Sequence, residues 1–164
     1  MSNQKTGIVI LSIMGFLWCL VGAITLPTVW RAAAIAGAFI VSGALLYANA
    51  ARPSALTKLN GKIFGLAVAL EIVGIAAAVR FLVASHEPTF ILAAVAIIVG
   101  LHFIGMWLAT DNRAYLGITV AMCAVGLASA LLPPPARMQV AGLASAIVLW
   151  AGAAQGINRR SATT

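Results

Sequence analysis

Two apolar runs decide the fold: IFGLAVALEIVGIAAAVRFLVA at residues 63–84 and, after three residues, PTFILAAVAIIVGLHFIGMWLA at 88–109. Each run is longer than the roughly 20 apolar residues that carry a helix across a hydrocarbon core about 30 Å thick. Neither run alternates apolar and polar residues as the strands of a membrane barrel do. Together they predict two antiparallel transmembrane helices joined by a tight turn.

Four further stretches have the same character. The sequence therefore predicts six spans, at residues 7–26, 31–48, 63–84, 88–109, 114–132 and 138–157. The connections between them are short, and none can bury a hydrophobic core of its own. We predict an all-α fold, a polytopic transmembrane helical bundle that forms one domain over residues 1–164.

The composition agrees with this fold class. Of the 164 residues 63% are hydrophobic and only 8% are charged, whereas about a quarter of a soluble domain is charged. These values exclude a soluble enzyme and a disordered chain. A nucleic-acid-binding domain is also excluded, because the basic residues form no cluster with base-reading or stacking side chains.

The basic residues instead predict an orientation. Of the ten Lys and Arg residues, seven fall on the side of the N-terminus, two on the opposite side and one inside a span. Because basic residues accumulate in cytoplasmic segments, we expect both termini in the cytoplasm, with membrane lipids as partners. The seven are Lys5, Arg52, Lys58, Lys62, Arg113, Arg159 and Arg160, and the two are Arg31 and Arg137.

Three ionisable residues fall inside the predicted spans, namely Glu71, Arg80 and His102. A charge at mid-membrane costs on the order of 2.5–3.5 kcal/mol even on insertion scales, so ionisable residues there indicate a partner or a function. Glu71 and His102 both lie about 15 residues from the turn at 86–87, which places them at one depth. The helix face of Glu71 carries small residues, which favour close helix contact. We therefore predict that Glu71 and His102 are neighbours inside the bundle.

This pair has two interpretations. Burial disfavours the charged form of each group while pairing favours it, and a coupled pair titrates as a unit. The pair could thus relay a proton or hold a substrate. Alternatively, it could be a polar clamp that fixes the register of two helices.

Two secondary pairs follow from the same hairpin. Arg80 lies nine residues after Glu71, half a turn out of phase, so we expect it to extend toward the interface with Glu87 as its partner. Lys62 and Asp111 lie at the other end of the hairpin. They could form an ion pair, although the better explanation is that either Asp111 or Asn112 caps the next helix; both could hold.

No cofactor or metal is predicted. The two histidines are His86 and His102, too far apart along a helix to hold one haem between them, and a zinc ligand set of about three residues is missing. Gly-x-x-x-Gly spacings at 61–65 and 152–156 predict close helix contacts, either within the bundle or between the subunits of a homodimer.

The glutamate in the third span and the stretch Gly100-Leu101-His102-Phe103 in the fourth resemble small bacterial integral membrane proteins of uncharacterised function. The resemblance covers the central hairpin. It implies a multi-pass protein of a bacterial inner (cell) membrane and no particular activity.

Three functions remain from the sequence. The first is a small-molecule or ion transporter or channel that uses Glu71 and His102. The second is a structural or accessory membrane subunit without turnover. The third is an enzyme acting on a lipid or quinone, which predicts a groove open to the bilayer beside Arg80 or His102.

Overall fold

The computed structural model describes residues 3–51 and 59–161, with side chains for 5–51 and 59–158. These residues form six long helices and no strand, so the predicted all-α helical bundle is confirmed. A 3₁₀ turn at Pro88–Phe90 leads into the fourth helix. The helices are α1 (Asn3–Ala23), α2 (Thr28–Ala50), α3 (Gly61–Ala84), α4 (Ile91–Thr110), α5 (Ala114–Ala130) and α6 (Ala136–Ser161).

Five of the helices are long and apolar enough to cross a membrane, which identifies an integral membrane protein. The exception is α5, which ends at Ala130 and has 17 residues. At 1.5 Å per residue it is about 26 Å long, slightly less than the hydrocarbon core. The predicted span 114–132 is therefore two residues too long. In contrast, α1 and α6 begin before their apolar runs, because a helix continues its backbone hydrogen bonds into the polar interface.

The helices follow one another around the bundle in the order α2, α1, α6, α5, α4 and α3. The core lies between α1, α4, α5 and α6, where small residues alternate with larger ones; it includes Ala96, Met122, Ala146, Leu149 and Ala153. Helices α2 and α3 flank this group and are mostly exposed. Since their exposed residues are largely apolar, these two helices present most of their surface to lipid.

Glycine residues allow the closest helix contact, between α1 and α6. A methyl group placed on Gly142 would meet the backbone of Gly22 and the carbonyl oxygen of Trp18. On the predicted Gly-x-x-x-Gly face of α6, Gly152 lies against Ile118 and Gly156 against Ile8. These are contacts within the bundle. The other predicted face, Gly61 and Gly65, meets nothing within 4 Å, so it makes no close contact inside the described chain.

Polar contacts join the outer helices to the core. The Ser42 hydroxyl donates to the Ser12 carbonyl oxygen (3.0 Å), and the Trp150 indole N–H donates to the Ser42 hydroxyl (3.0 Å). This cluster joins α2, α1 and α6. Such side-chain hydrogen bonds between membrane helices contribute about 0.6 kcal/mol each on average.

Arg137 lies just before the predicted span 138–157 and is nevertheless buried, with only 8% of the residue exposed. Its Nη1 donates to the Thr89 hydroxyl (2.7 Å), its Nε donates to the Leu132 carbonyl oxygen (3.1 Å), and its guanidinium lies 3.4 Å from the centre of the Phe90 ring. Arg137 therefore connects the start of α6 to the start of α4.

The α1–α6 contact predicts opposite effects of one substitution at two glycines. Gly142→Ala should lower the free energy of unfolding by about 1–3 kcal/mol, because the added methyl group forces two backbones apart. Gly37→Ala should raise it by up to about 1 kcal/mol, because Gly37 on α2 has no neighbour within 4 Å and Ala favours helix more than Gly does. Thermal unfolding in detergent, followed by circular dichroism, measures both. Equal changes in the two variants would contradict the contact.

Candidate functional site

The site lies in the α3–α4 hairpin, whose register is fixed at both ends. At one end the chain turns through Ser85–Glu87, where the Glu87 N–H donates to the Leu82 carbonyl oxygen (2.8 Å). At the other end the Asn60 N–H donates to the Ala109 carbonyl oxygen (2.8 Å), and the Asn60 side chain caps α3. Between these ends Gly105 of α4 lies against Ala67 of α3, so the two helices run close together one turn from Glu71.

This register brings Glu71 and His102 into contact. The imidazole Nδ1 of His102 lies 3.3 Å from the Glu71 carboxylate oxygen Oε2. The His102 side chain is 11% exposed and the Glu71 side chain 20%. An acid and a base thus meet in a largely apolar setting, where their mutual attraction is far stronger than in water.

The contact is close but not a well-aligned hydrogen bond. His102 Nδ1 is buried and has no hydrogen-bond partner, a condition shared among the described side chains by the hydroxyls of Thr25 and Ser145. Buried polar atoms are nearly always hydrogen-bonded, because an unsatisfied one costs about 1–3 kcal/mol. The ring nitrogen can therefore still gain a partner if either side chain moves slightly.

A space of about 220 Å³ reaches the pair from one side. Residues of five helices line it, so it is called the internal cavity, although its edge at Ile10 is half exposed. It begins near the ends of three helices, at Gly7 of α1, Phe64 of α3 and Tyr115 of α5, and continues to Glu71 and His102. All three helices start at the end of the bundle that carries the N-terminus. The other lining residues are Ile10, Leu11, Met14, Val68, Val99, Phe103, Met106 and Leu149.

A larger groove of about 500 Å³ reaches the same pair from the opposite side. It runs between α3 and α4 on the lipid-facing surface, and four leucines at its edges are more than half exposed: Leu66, Leu70, Leu101 and Leu108. Its volume falls in the range of small-molecule sites. Glu71 and His102 are the only ionisable side chains that line it, so the pair separates the groove from the internal cavity.

Tyr115 is a site residue that sequence reasoning missed. Its ring stacks on Phe103 (centroids 5.9 Å apart), and Phe103 contacts His102 edge to face (5.7 Å). The sequence places Tyr115 near the membrane interface, where aromatic residues are common. Its spacing from His102 gives no sign that α5 packs on α4 at this level.

The structure does not bring the secondary pairs together. Arg80 and Glu87 are both exposed, and no ion pair joins them in the described ranges. The expected Lys62–Asp111 ion pair is likewise absent there. Asp111 does not cap α5 either: it ends α4 in a left-handed conformation, with φ of 54°. The side chain of the next residue, Asn112, accepts a hydrogen bond from the Ala114 N–H (3.1 Å) at the start of α5.

The remaining candidate residues are four basic residues and two cysteines. Arg52 and Lys58 fall outside the described residues, as do the side chains of Arg159 and Arg160. The described residues contain no group of three or more His, Cys, Asp or Glu side chains that could hold a metal ion. Cys19 and Cys123 are both free.

Comparison with protein-family models, curated proteins and solved structures gives no match to this chain. The resemblance of the central hairpin to small bacterial membrane proteins therefore stays a prediction. Function must be argued from the geometry of Glu71 and His102 and of the two spaces beside them.

The contact predicts energetic coupling between Glu71 and His102. In a double-mutant cycle with Glu71→Gln and His102→Asn, the effects on unfolding free energy should be non-additive by roughly 0.5–3 kcal/mol, as for other side chains in contact. The unfolding free energy of each variant is measured in mixed micelles that contain an increasing fraction of a denaturing detergent. A matched cycle with Glu71→Gln and His86→Asn should be additive, because position 86 lies in the exposed turn, roughly 20 Å along the helix from Glu71. Additivity in the first cycle would contradict the coupling.

Proposed function

We infer that this integral membrane protein transports a small molecule or ion, and that Glu71 and His102 exchange protons during transport. One observation carries the proposal: the carboxylate and the imidazole are 3.3 Å apart, and they lie between the internal cavity and the lipid-facing groove. A group that borders two spaces can take a proton from water or cargo in one space and give it to water or cargo in the other. Ionisable residues inside membrane helices commonly serve such proton relays.

The charge states of the pair explain why protons and cargo would be coupled. With one proton between them, Glu71 and His102 carry no net charge, whichever of the two holds it. A second proton would leave a net positive charge, and loss of the only proton would leave a net negative one. Since an uncompensated charge inside the membrane is costly, the pair should release its proton mainly as a second proton or a cation arrives. Without a cation, the exchange of one proton for another moves protons alone.

The second candidate is an accessory subunit in which the same contact only clamps α3 to α4. The apolar lining of both spaces is compatible with this role. In that case substitutions at the pair would change stability and leave permeability untouched. A lipid- or quinone-acting enzyme fits the lipid-facing groove beside His102, but the groove offers no nucleophilic side chain beyond Glu71 and His102. We therefore favour transport.

Proton flux in liposomes tests the proposal. Liposomes that contain the wild-type chain should acidify faster than empty liposomes when a potassium gradient with valinomycin makes the interior negative, as reported by an enclosed pH-sensitive dye. Glu71→Gln and His102→Asn should reduce the rate to that of empty liposomes, because neither substituted side chain can carry a proton.

The chain offers a matched control for each substitution. Glu87→Gln and His86→Asn change the only other glutamate and the only other histidine, and both should keep the wild-type rate. Asn suits position 86, since the residue there has a positive φ of 59°. Equal rates in all five proteins, each shown to be folded by circular dichroism, would remove the relay and leave the clamp.

A further inference from the structure

The lipid-facing groove between α3 and α4 has a chemistry that narrows the cargo. Its walls are apolar, and its edge leucines are exposed on the surface that faces the acyl chains. Its polar side chains are Glu71 and His102. A ligand that fills this groove must therefore be mostly apolar, and it can enter sideways from the bilayer.

The charge of the site favours a cation. The chain has three acidic residues, Glu71, Glu87 and Asp111, and only Glu71 lies within a membrane-spanning segment. No Lys or Arg lines either space among the residues that the structure describes. An anion would meet only the proton of His102, which already faces a carboxylate. A cation would meet a carboxylate that has no other basic partner.

A small hydrated metal ion does not fit the same site. Calcium and magnesium require about six oxygen ligands in place of their water. The side chains of the groove supply only the two carboxylate oxygens of Glu71. An organic cation with a bulky apolar body needs no such shell, because its charge is spread and its surface suits the leucine and isoleucine walls.

We propose that this groove binds a lipophilic organic cation taken from the bilayer, and that the cation replaces His102 as the partner of the Glu71 carboxylate. The inference rests on the proposed role of the Glu71–His102 pair. Binding breaks only one covalent bond, an N–H bond of the His102 imidazolium. The proton passes to a water molecule that enters the internal cavity, which carries it to bulk water as hydronium, while the ligand's charge takes its place. The net charge of the site stays the same.

The surroundings of the pair leave few other groups for this proton. On the side of the internal cavity, α1 and α6 contribute apolar residues, and α5 contributes the phenol of Tyr115. On α3 and α4 the ionisable side chains in the two linings are Glu71 and His102 themselves. Proton release upon binding therefore reports on the Glu71–His102 pair.

Binding of tetraphenylphosphonium tests the proposal, with tetraphenylborate as an anion of the same shape. Equilibrium dialysis of the full chain in a neutral maltoside detergent, corrected with empty micelles, should show saturable binding of one phosphonium per chain and no saturable binding of the borate. Glu71→Gln should weaken phosphonium binding on the order of tenfold or more, because the cation loses its charged partner. Glu87→Gln should bind as the wild type does.

The proton of the pair gives a readout that an uncharged apolar groove would not. In weakly buffered solution near neutral pH, phosphonium should release protons from the wild-type chain, as a soluble pH dye reports. His102→Asn should keep both the binding and the release, because its one proton then lies on the Glu71 carboxyl, and Glu71→Gln should lose both. If Glu71→Gln does not fold, Leu101→Trp fills the groove without touching the carboxylate and should abolish binding.

Equal binding of phosphonium and borate, or equal binding by Glu71→Gln and the wild type, would overturn the proposal. So would the absence of saturable binding. This failure can be told apart from failure of the proposed function: if proton flux still depends on Glu71 and His102, the relay stands and only the class of cargo falls.

Discussion

Close approach of helix backbones is the constraint on which this structure depends. Lipid chains are as apolar as leucine, so helices in a bilayer associate through tight packing and polar contacts rather than through the hydrophobic effect. Glycine permits that packing where α1 meets α6 and where α4 meets both of its neighbours. The contact of Gly105 with Ala67 sets the distance between α3 and α4. That distance decides whether a carboxylate and an imidazole can touch.

The same hairpin gives the polar pair its unusual position. An acid in hydrocarbon is tolerated only with a partner, and His102 supplies one. The pair is nevertheless not sealed, since a cavity approaches it from within the bundle and a groove approaches it from the lipid. A purely structural clamp would gain from being closed on both sides. The arrangement instead leaves one buried ring nitrogen without a hydrogen bond.

Much of the fold could be predicted from the sequence, because the thickness of the membrane sets the length of each apolar run that spans it. The proximity of Glu71 and His102 was also predictable, since a tight turn after a straight helix fixes which residues share a depth. Arg137 was not, because its burial depends on Phe90 and Thr89, which only the packed structure brings beside it. The role of Tyr115 was hidden for the same reason. The pairing of Arg80 with Glu87 fails because both side chains lie exposed in and beside the turn.

Among the described residues, helix α3 packs mainly along one other long helix, α4, whereas α1 and α6 each contact several. Its remaining surface faces the acyl chains or the internal cavity. Displacing α3 would therefore disturb a single helix interface and leave the order of the other five helices unchanged. Because Glu71 is part of this helix, movement of α3 away from α4 would separate the carboxylate from the imidazole. The groove and the internal cavity would then join into one passage.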